Sequence, residues 1–245
     1  MPDKWYQNWF NSPYYHILYQ RRNITEAEFF IDRLISQLNP AADARVLDIA
    51  CGRGRHSVYL NKKGFDVTGV DLSHANIQYA KRFENEHLHF FEHDMRQLMY
   101  INYFDMALNL FTSFGYFESE KDHINALSSF RKALKKDGLL VLDFFNRTKV
   151  LRNLVDRETK EIEGIHFNIS KRLEGNKIIK SINFSNNKHD FHFKEEVEAF
   201  SFADFERLFK KSGFKVLSFY GDYALNDFEE ESSDRLIFIC RKADA

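Results

Sequence analysis

From Arg45 onward, apolar and polar positions fall into blocks that switch between two periods. Residues 46–50 form a continuous apolar run broken only by Asp48, the mark of a buried strand. Residues 55–63 carry a helical pattern that Gly64 ends. Residues 65–70 read as a second strand, and Ser73 is placed to cap a helix running to about Glu86. Residues 88–91, closing near Asp94, and residues 104–110 are the third and fourth strands. A helix over 119–135 stops at Asp137-Gly138, and residues 139–145 are a fifth strand. Strands alternating with helices at this spacing predict an α/β fold: a doubly wound, mostly parallel, Rossmann-like sheet with helices on both faces.

The flanking segments have a different rhythm. Residues 1–20 are crowded with Trp5, Tyr6, Trp9, Phe10, Tyr14, Tyr15 and Tyr19. Thr25-Glu26-Ala27-Glu28 has the form of a capping box, followed by Phe30, Leu34 and Leu38 at helical spacing and a stop at Asn39-Pro40. Residues 1–40 are therefore expected to form a helical cap. Between 163 and 200 apolar residues alternate with polar ones, with turns at Glu174-Gly175-Asn176 and Asn186-Asn187; the pattern predicts a three-stranded antiparallel meander. Ser201 caps a further helix to Ser212-Gly213. Residues 214–219 and 236–240 are separated by a charged stretch without helical pattern, so they are expected to pair as an antiparallel hairpin. The sequence thus predicts a main domain over 1–146 and 201–245, and an inserted antiparallel β subdomain over 147–200.

Composition narrows the class. The 245 residues, 44% hydrophobic, suffice for one such domain with an insertion. A net charge of −1 removes the general electrostatic argument for a nucleic-acid partner. Cys51 and Cys240 provide neither a disulfide framework nor zinc spacing. The chain lacks an apolar leader and any run of 18 apolar residues, so no membrane association and a cytoplasmic location are expected. His166, His189 and His192 have no acidic or cysteine partner at ligand spacing, and no metal is expected.

The candidate chemistry lies at the strand ends. Gly52-x-Gly54-x-x-Ser57 is one residue short of a dinucleotide fingerprint, and Asp71 closes the second strand. Asp48 at the end of the first strand disfavours a pyrophosphate and favours a cation. A nicotinamide or flavin site is thereby weakened. Three acids at three consecutive strand ends suit S-adenosylmethionine better: Asp48 for the cationic methionine end, Asp71 for the ribose and Asp94 for the adenine amino group. The bland alternative is glycines for a tight turn and acids as helix caps. Tyr14, Tyr15 and Tyr19 are placed to cover the cofactor and Arg21 or Arg22 to hold its carboxylate. The loop after the fourth strand and the inserted meander are the other segments expected to reach the acceptor.

Residues 46–57, 67–73, 93–95, 104–109 and 138–143 together resemble the Rossmann-like (class I) S-adenosylmethionine-dependent methyltransferases. The resemblance covers about residues 30–145 and resumes at 201–241. It implies a seven-stranded sheet with an antiparallel last strand. The insertion is similar in architecture to that of small-molecule N-methyltransferases. Ala50 stands where that family often has its first glycine. The implied cofactor-binding set is Asp48, Ala50, Gly52, Gly54, Asp71, Leu72, Asp94, Met95, Asn109, Tyr19 and Arg21, with S-adenosylhomocysteine as product. Tyr15 and Tyr116 are the candidate catalytic residues. In-line methyl transfer to N or O of a small-molecule acceptor is the expected activity, by a monomer or homodimer. A tRNA methyltransferase and a non-catalytic cofactor-binding module remain as alternatives; strand four ends Asn109-Leu110-Phe111-Thr112, without the Pro-Pro-aromatic tetrapeptide of many base-amino methylases.

Overall fold

The computed structural model describes residues 5–20 and 24–243. Three helices, α1 (Trp5–Phe10), α2 (Pro13–Leu18) and α3 (Ile24–Leu38), precede a seven-stranded sheet. The sheet alternates β1 (Arg45–Ile49), α4 (Arg55–Lys62), β2 (Asp66–Asp71), α5 (His74–Ala80), β3 (Leu88–Glu92), β4 (Phe104–Asn109), α6 (Glu120–Ala133) and β5 (Leu134–Phe145). After α7 (Arg147–Arg152) comes a separate antiparallel sheet of β6 (Arg157–Ile162), β7 (Ile165–Glu174), β8 (Lys177–Asn186) and β9 (His189–Glu198). The chain then returns through α8 (Phe202–Lys211), β10 (Phe214–Tyr220) and β11 (Arg235–Lys242).

The large sheet runs β10-β11-β5-β4-β1-β2-β3. β11 lies antiparallel between β5 and β10, and the remaining neighbours pair in parallel. The inner parallel strands β1, β2 and β4 are buried on both faces, which is why they read as nearly unbroken apolar runs, whereas β3 at the sheet edge buries only alternate residues. One core, with Phe130, Phe144, Phe205 and Phe238, fills the α6–α8 side. A second, with Phe30, Leu60, Ile77 and Phe90, fills the α3–α4–α5 side. A third lies outside the large sheet: Trp9 and Leu18 of the first two helices pack on Ile165, Phe167, Ile169, Ile182 and Phe184 of the small sheet. The N-terminal aromatics therefore find their core on the insertion.

Several boundaries correct the sequence reading. The small sheet has four strands; the missed one, β6, is a charged edge strand whose residues are mostly exposed, so it carries no apolar alternation. Thr25 lies within the first turn of α3, which is described from Ile24 onward. α5 ends at Ala80 and tightens into a 3-10 turn over Lys81–Phe83, short of Glu86. α6 passes into β5 without a loop, and Asp137 takes a left-handed φ of 64° within that strand. Ser73, Ser119 and Ser201 cap their helices, the last in a full capping box with Asp204.

Candidate cofactor site

The β1–α4 turn is built from backbone that turns left-handed three times, at Ala50 (φ 59°), Gly52 (58°) and Gly54 (82°). Glycine takes this conformation freely, whereas Ala50 holds it at a cost of about 1 kcal/mol. The turn is fixed from its flanks: Cys51 N–H donates to the Val70 carbonyl at 3.0 Å, and Gly54 N–H to the Cys51 carbonyl at 3.0 Å. Phe90 fills the gap beneath it. A Cβ on Gly54 or Gly69 would lie 2.7 or 2.6 Å from that ring, so both positions are closed to side chains by packing. A Cβ on Gly52 would meet nothing within 4 Å, because Gly52 borders open space.

Two carboxylates face that space. Asp48 is 1% exposed and accepts the Ser57 hydroxyl at 2.5 Å. Burial pushes its carboxyl up to about 6; the nearby Asp71 charge adds to this, against Ser57 and Arg55. Asp71 accepts Gly52 N–H at 2.9 Å and Ser73 N–H at 2.8 Å, which ties the β2 end to the glycine turn. Burial raises its pKa also, partly offset by those N–H groups. Among the described residues neither acid is in an ion pair.

Asp48 and Asp71 open onto a cavity of about 690 Å³, within the range of small-ligand sites. Ala50, Gly52, Leu72, Asp94 and Met95 also line it, together with Tyr15, Tyr19 and Tyr116. Gly54 lies beneath, against Phe90, and does not line it. Arg21, with Arg22, lies outside the described residues. Asp94 reaches the wall already held by Arg96, whose Nε donates to its two oxygens at 3.0 and 3.1 Å and whose Nη2 donates at 2.5 Å. Asn109 turns away: fully buried, it donates from Nδ2 to the Ile49 carbonyl at 3.2 Å and so staples β4 to β1 instead of facing a ligand. Tyr14 packs on Phe184 and Phe191 of the small sheet, with its hydroxyl accepting from Asn186 at 3.1 Å, and does not cover the cavity. The insertion, expected at the acceptor, supplies none of the lining residues.

Phe111, in the loop expected to reach the acceptor, lines the cavity with the Arg55 guanidinium 4.3 Å from its ring centre, whereas the lining positions of Tyr6 and Phe10 on α1 and of Arg55 on α4 were not singled out from the sequence. The loop after β4 is set by a buried network. Asp143, fully buried at the end of β5, accepts Arg235 Nε at 2.8 Å and Phe111 N–H at 2.7 Å. Arg235 Nη2 reaches the Thr112 hydroxyl at 2.9 Å. Phe111 and Thr112 are both left-handed (φ 56° and 60°), a conformation that persists only because its surroundings over-determine it. Tyr116 closes the loop by donating to the Thr112 carbonyl at 2.5 Å.

Comparison with known proteins agrees with this architecture. The chain is 20% identical, with a TM-score of 0.81, to an S-adenosylmethionine-dependent methyltransferase from Clostridium acetobutylicum ATCC 824, covering 97% of this chain and 99% of that one. A dTDP-3-amino-3,4,6-trideoxy-alpha-D-glucopyranose N,N-dimethyltransferase from Streptomyces venezuelae is 27% identical over 195 residues, 75% of this chain and 80% of its own. A glycine/sarcosine N-methyltransferase from Aphanothece halophytica is 37% identical over 142 residues, 55% of this chain and 51% of its own. Residues 19–219 match the family described as "Methyltransferase domain". Glycine turn, paired acids, sheet order and family match converge, and the chain belongs to the class I S-adenosylmethionine-dependent methyltransferases.

Proposed function

We propose that the protein methylates the nitrogen of a small amine held beneath the aromatic cap. The observation that carries this reading is the cavity wall opposite the acids. Tyr6, Phe10 and Tyr15 of the cap and Tyr116 and Phe117 of the post-β4 loop all border it. Phe10 packs edge-on against Tyr15 at 5.0 Å and Tyr116 at 5.6 Å. Such ring faces attract the ammonium form of an amine by about 0.5–2 kcal/mol each, an advantage that an alcohol does not share. That nitrogen gives up a proton to water before its lone pair takes the methyl group, and as the N–C bond forms the S–C bond breaks and the sulfonium becomes a neutral thioether. The names of two relatives, both N-methyltransferases, agree.

The residues present fit the cofactor. Two carboxylates that form no ion pair among the described residues suit a ligand bearing an ammonium and a sulfonium, and the open space at Gly52 admits close approach of backbone. S-adenosylmethionine supplies an activated methyl group when bound. Asp71, fixed by two backbone N–H groups, would take the ribose hydroxyls, and Asp48 the cationic end. The aromatic wall excludes water and orients the acceptor, a contribution of several kcal/mol by proximity alone. Asp71→Ala should weaken S-adenosylhomocysteine binding by about 1.5–3 kcal/mol in calorimetry, because hydrogen bonds to a charged group are lost. Unchanged affinity would remove the ribose assignment.

Methyl release onto matched primary amines, their alcohol isosteres and bulk tRNA tests the acceptor class. The amines should be preferred by about 2- to 30-fold, the range one cation–π contact supplies. Preference for alcohols or for tRNA would refute the amine reading.

A further inference from the structure

The small sheet lines none of the cavity, yet the cap that does so rests on it. Its inner face is apolar at alternate positions: Ile178, Ile182 and Phe184 on β8, and Phe191, Phe193 and Val197 on β9. Two charges interrupt that alternation. Lys180 and Glu195 stand directly opposite each other across the β8–β9 ladder, with nitrogen and oxygen 3.5 Å apart and side chains only 14% and 19% exposed. Lys171, opposite Lys180 on β7, is neutralised separately by Glu158 at 2.7 Å.

The pair is spent on the cap. Glu195 Oε1 accepts the Trp9 indole N–H at 2.6 Å and the Tyr19 hydroxyl at 2.6 Å. Lys180 donates to the same Tyr19 oxygen and sits 4.6 Å from the centre of that ring. Trp9 belongs to α1 and Tyr19 follows α2, so one carboxylate oxygen ties both cap helices to β9. A few residues on, Glu198 N–H donates to the Gly115 carbonyl at 2.8 Å, so the same strand also braces the post-β4 loop.

Apolar residues of similar volume would generally serve stability on such a face as well as an ion pair. What they lack is an acceptor for an indole N–H and a phenol O–H together. We infer that Glu195, held in place by Lys180, is a positioning residue that latches the aromatic cap over the cofactor cavity, so that the inserted sheet shapes the site without touching its contents. The inference goes beyond the amine reading and holds for whichever atom is methylated.

The test uses the full chain, with S-adenosylhomocysteine as probe. Both tryptophans of the protein, Trp5 and Trp9, lie in α1, so tryptophan emission reports on the cap. The double variant Lys180→Met/Glu195→Leu keeps the face apolar and leaves no charge uncompensated. It should retain its far-UV circular dichroism, shift its emission to the red and release S-adenosylhomocysteine about tenfold faster, the factor one hydrogen bond to a charged group supplies. Glu195→Gln keeps an acceptor oxygen and should restore release to within about threefold of the parent. Parental emission and release in the double variant would overturn the latch. Equal loss in Glu195→Gln would overturn it too, by making the charge and not the doubled acceptor decisive. Trp9→Phe, at a residue outside the cavity wall, decides the matter should the double variant not fold: unchanged release there would also refute it.

Discussion

Asp143→Ala is expected to lower the free energy of unfolding by about 3 kcal/mol, because it leaves the Arg235 guanidinium, only 18% exposed, without its fully buried carboxylate. The loss falls at the active face. Phe111 N–H loses its acceptor, and with it goes the restraint that keeps Phe111 and Thr112 left-handed. Urea unfolding measures the first effect, and hydrogen exchange at Phe111 the second. An apolar replacement of both partners, Asp143→Leu with Arg235→Met, should recover most of the stability while leaving the loop loose. A destabilisation below about 1 kcal/mol in Asp143→Ala would show that the pair is not buried in the way described.

The second large effect concerns Asp48 and has opposite signs for stability and for binding. Its carboxyl titrates at about 6 in the folded protein, against about 3.9 in the unfolded chain. Between those values the folded state holds the extra proton, so the contribution is fully present below about pH 4 and is lost as pH rises through about 6. The ligand-free protein should lose on the order of 3 kcal/mol across that window from this group. Asp48→Asn should abolish that share of the slope and make the ligand-free protein more stable at pH 7.5, while weakening S-adenosylhomocysteine by tenfold or more through loss of the charge. Paired unfolding curves at pH 4.5 and 7.5 check the first half, and calorimetry the second. An identical slope in parent and variant would remove Asp48 as its source. On the proposed assignment Asp48 costs stability for the sake of the ligand, a common trade at functional sites.

The large sheet was legible because strands buried on both faces must be apolar throughout, and the glycine turn because its backbone conformation selects glycine at Gly52 and Gly54. The acids at 48, 71 and 94 were legible as charges that interrupt or close such runs. β6 was not, since an exposed charged edge carries no period. Nor was the destination of the cap: a cluster of aromatic residues announces burial but not the surface it is buried against. Asn109 shows the same limit, because a polar residue at a strand end reads alike whether it faces a ligand or staples two strands. Asp143 and Arg235 lie 92 residues apart, beyond the reach of any local pattern. The Lys180–Glu195 pair, by contrast, leaves a trace in the sequence: a charge in register with the apolar positions of each of two alternating runs, Lys180 among 178, 182 and 184 and Glu195 among 191, 193 and 197.

The placement of β11 between β5 and β10 has a consequence for how the molecule is assembled. The loop that carries Phe111 is held in shape by an arginine that arrives only after the chain has crossed the whole insertion and come back. A fragment ending within the insertion would still own the nucleoside half-site, yet Asp143 would have no counter-ion and the loop at Phe111 no fixed shape. Because pairings between distant segments close slowly, competence to grip a nucleoside should emerge earlier in refolding than competence to use it.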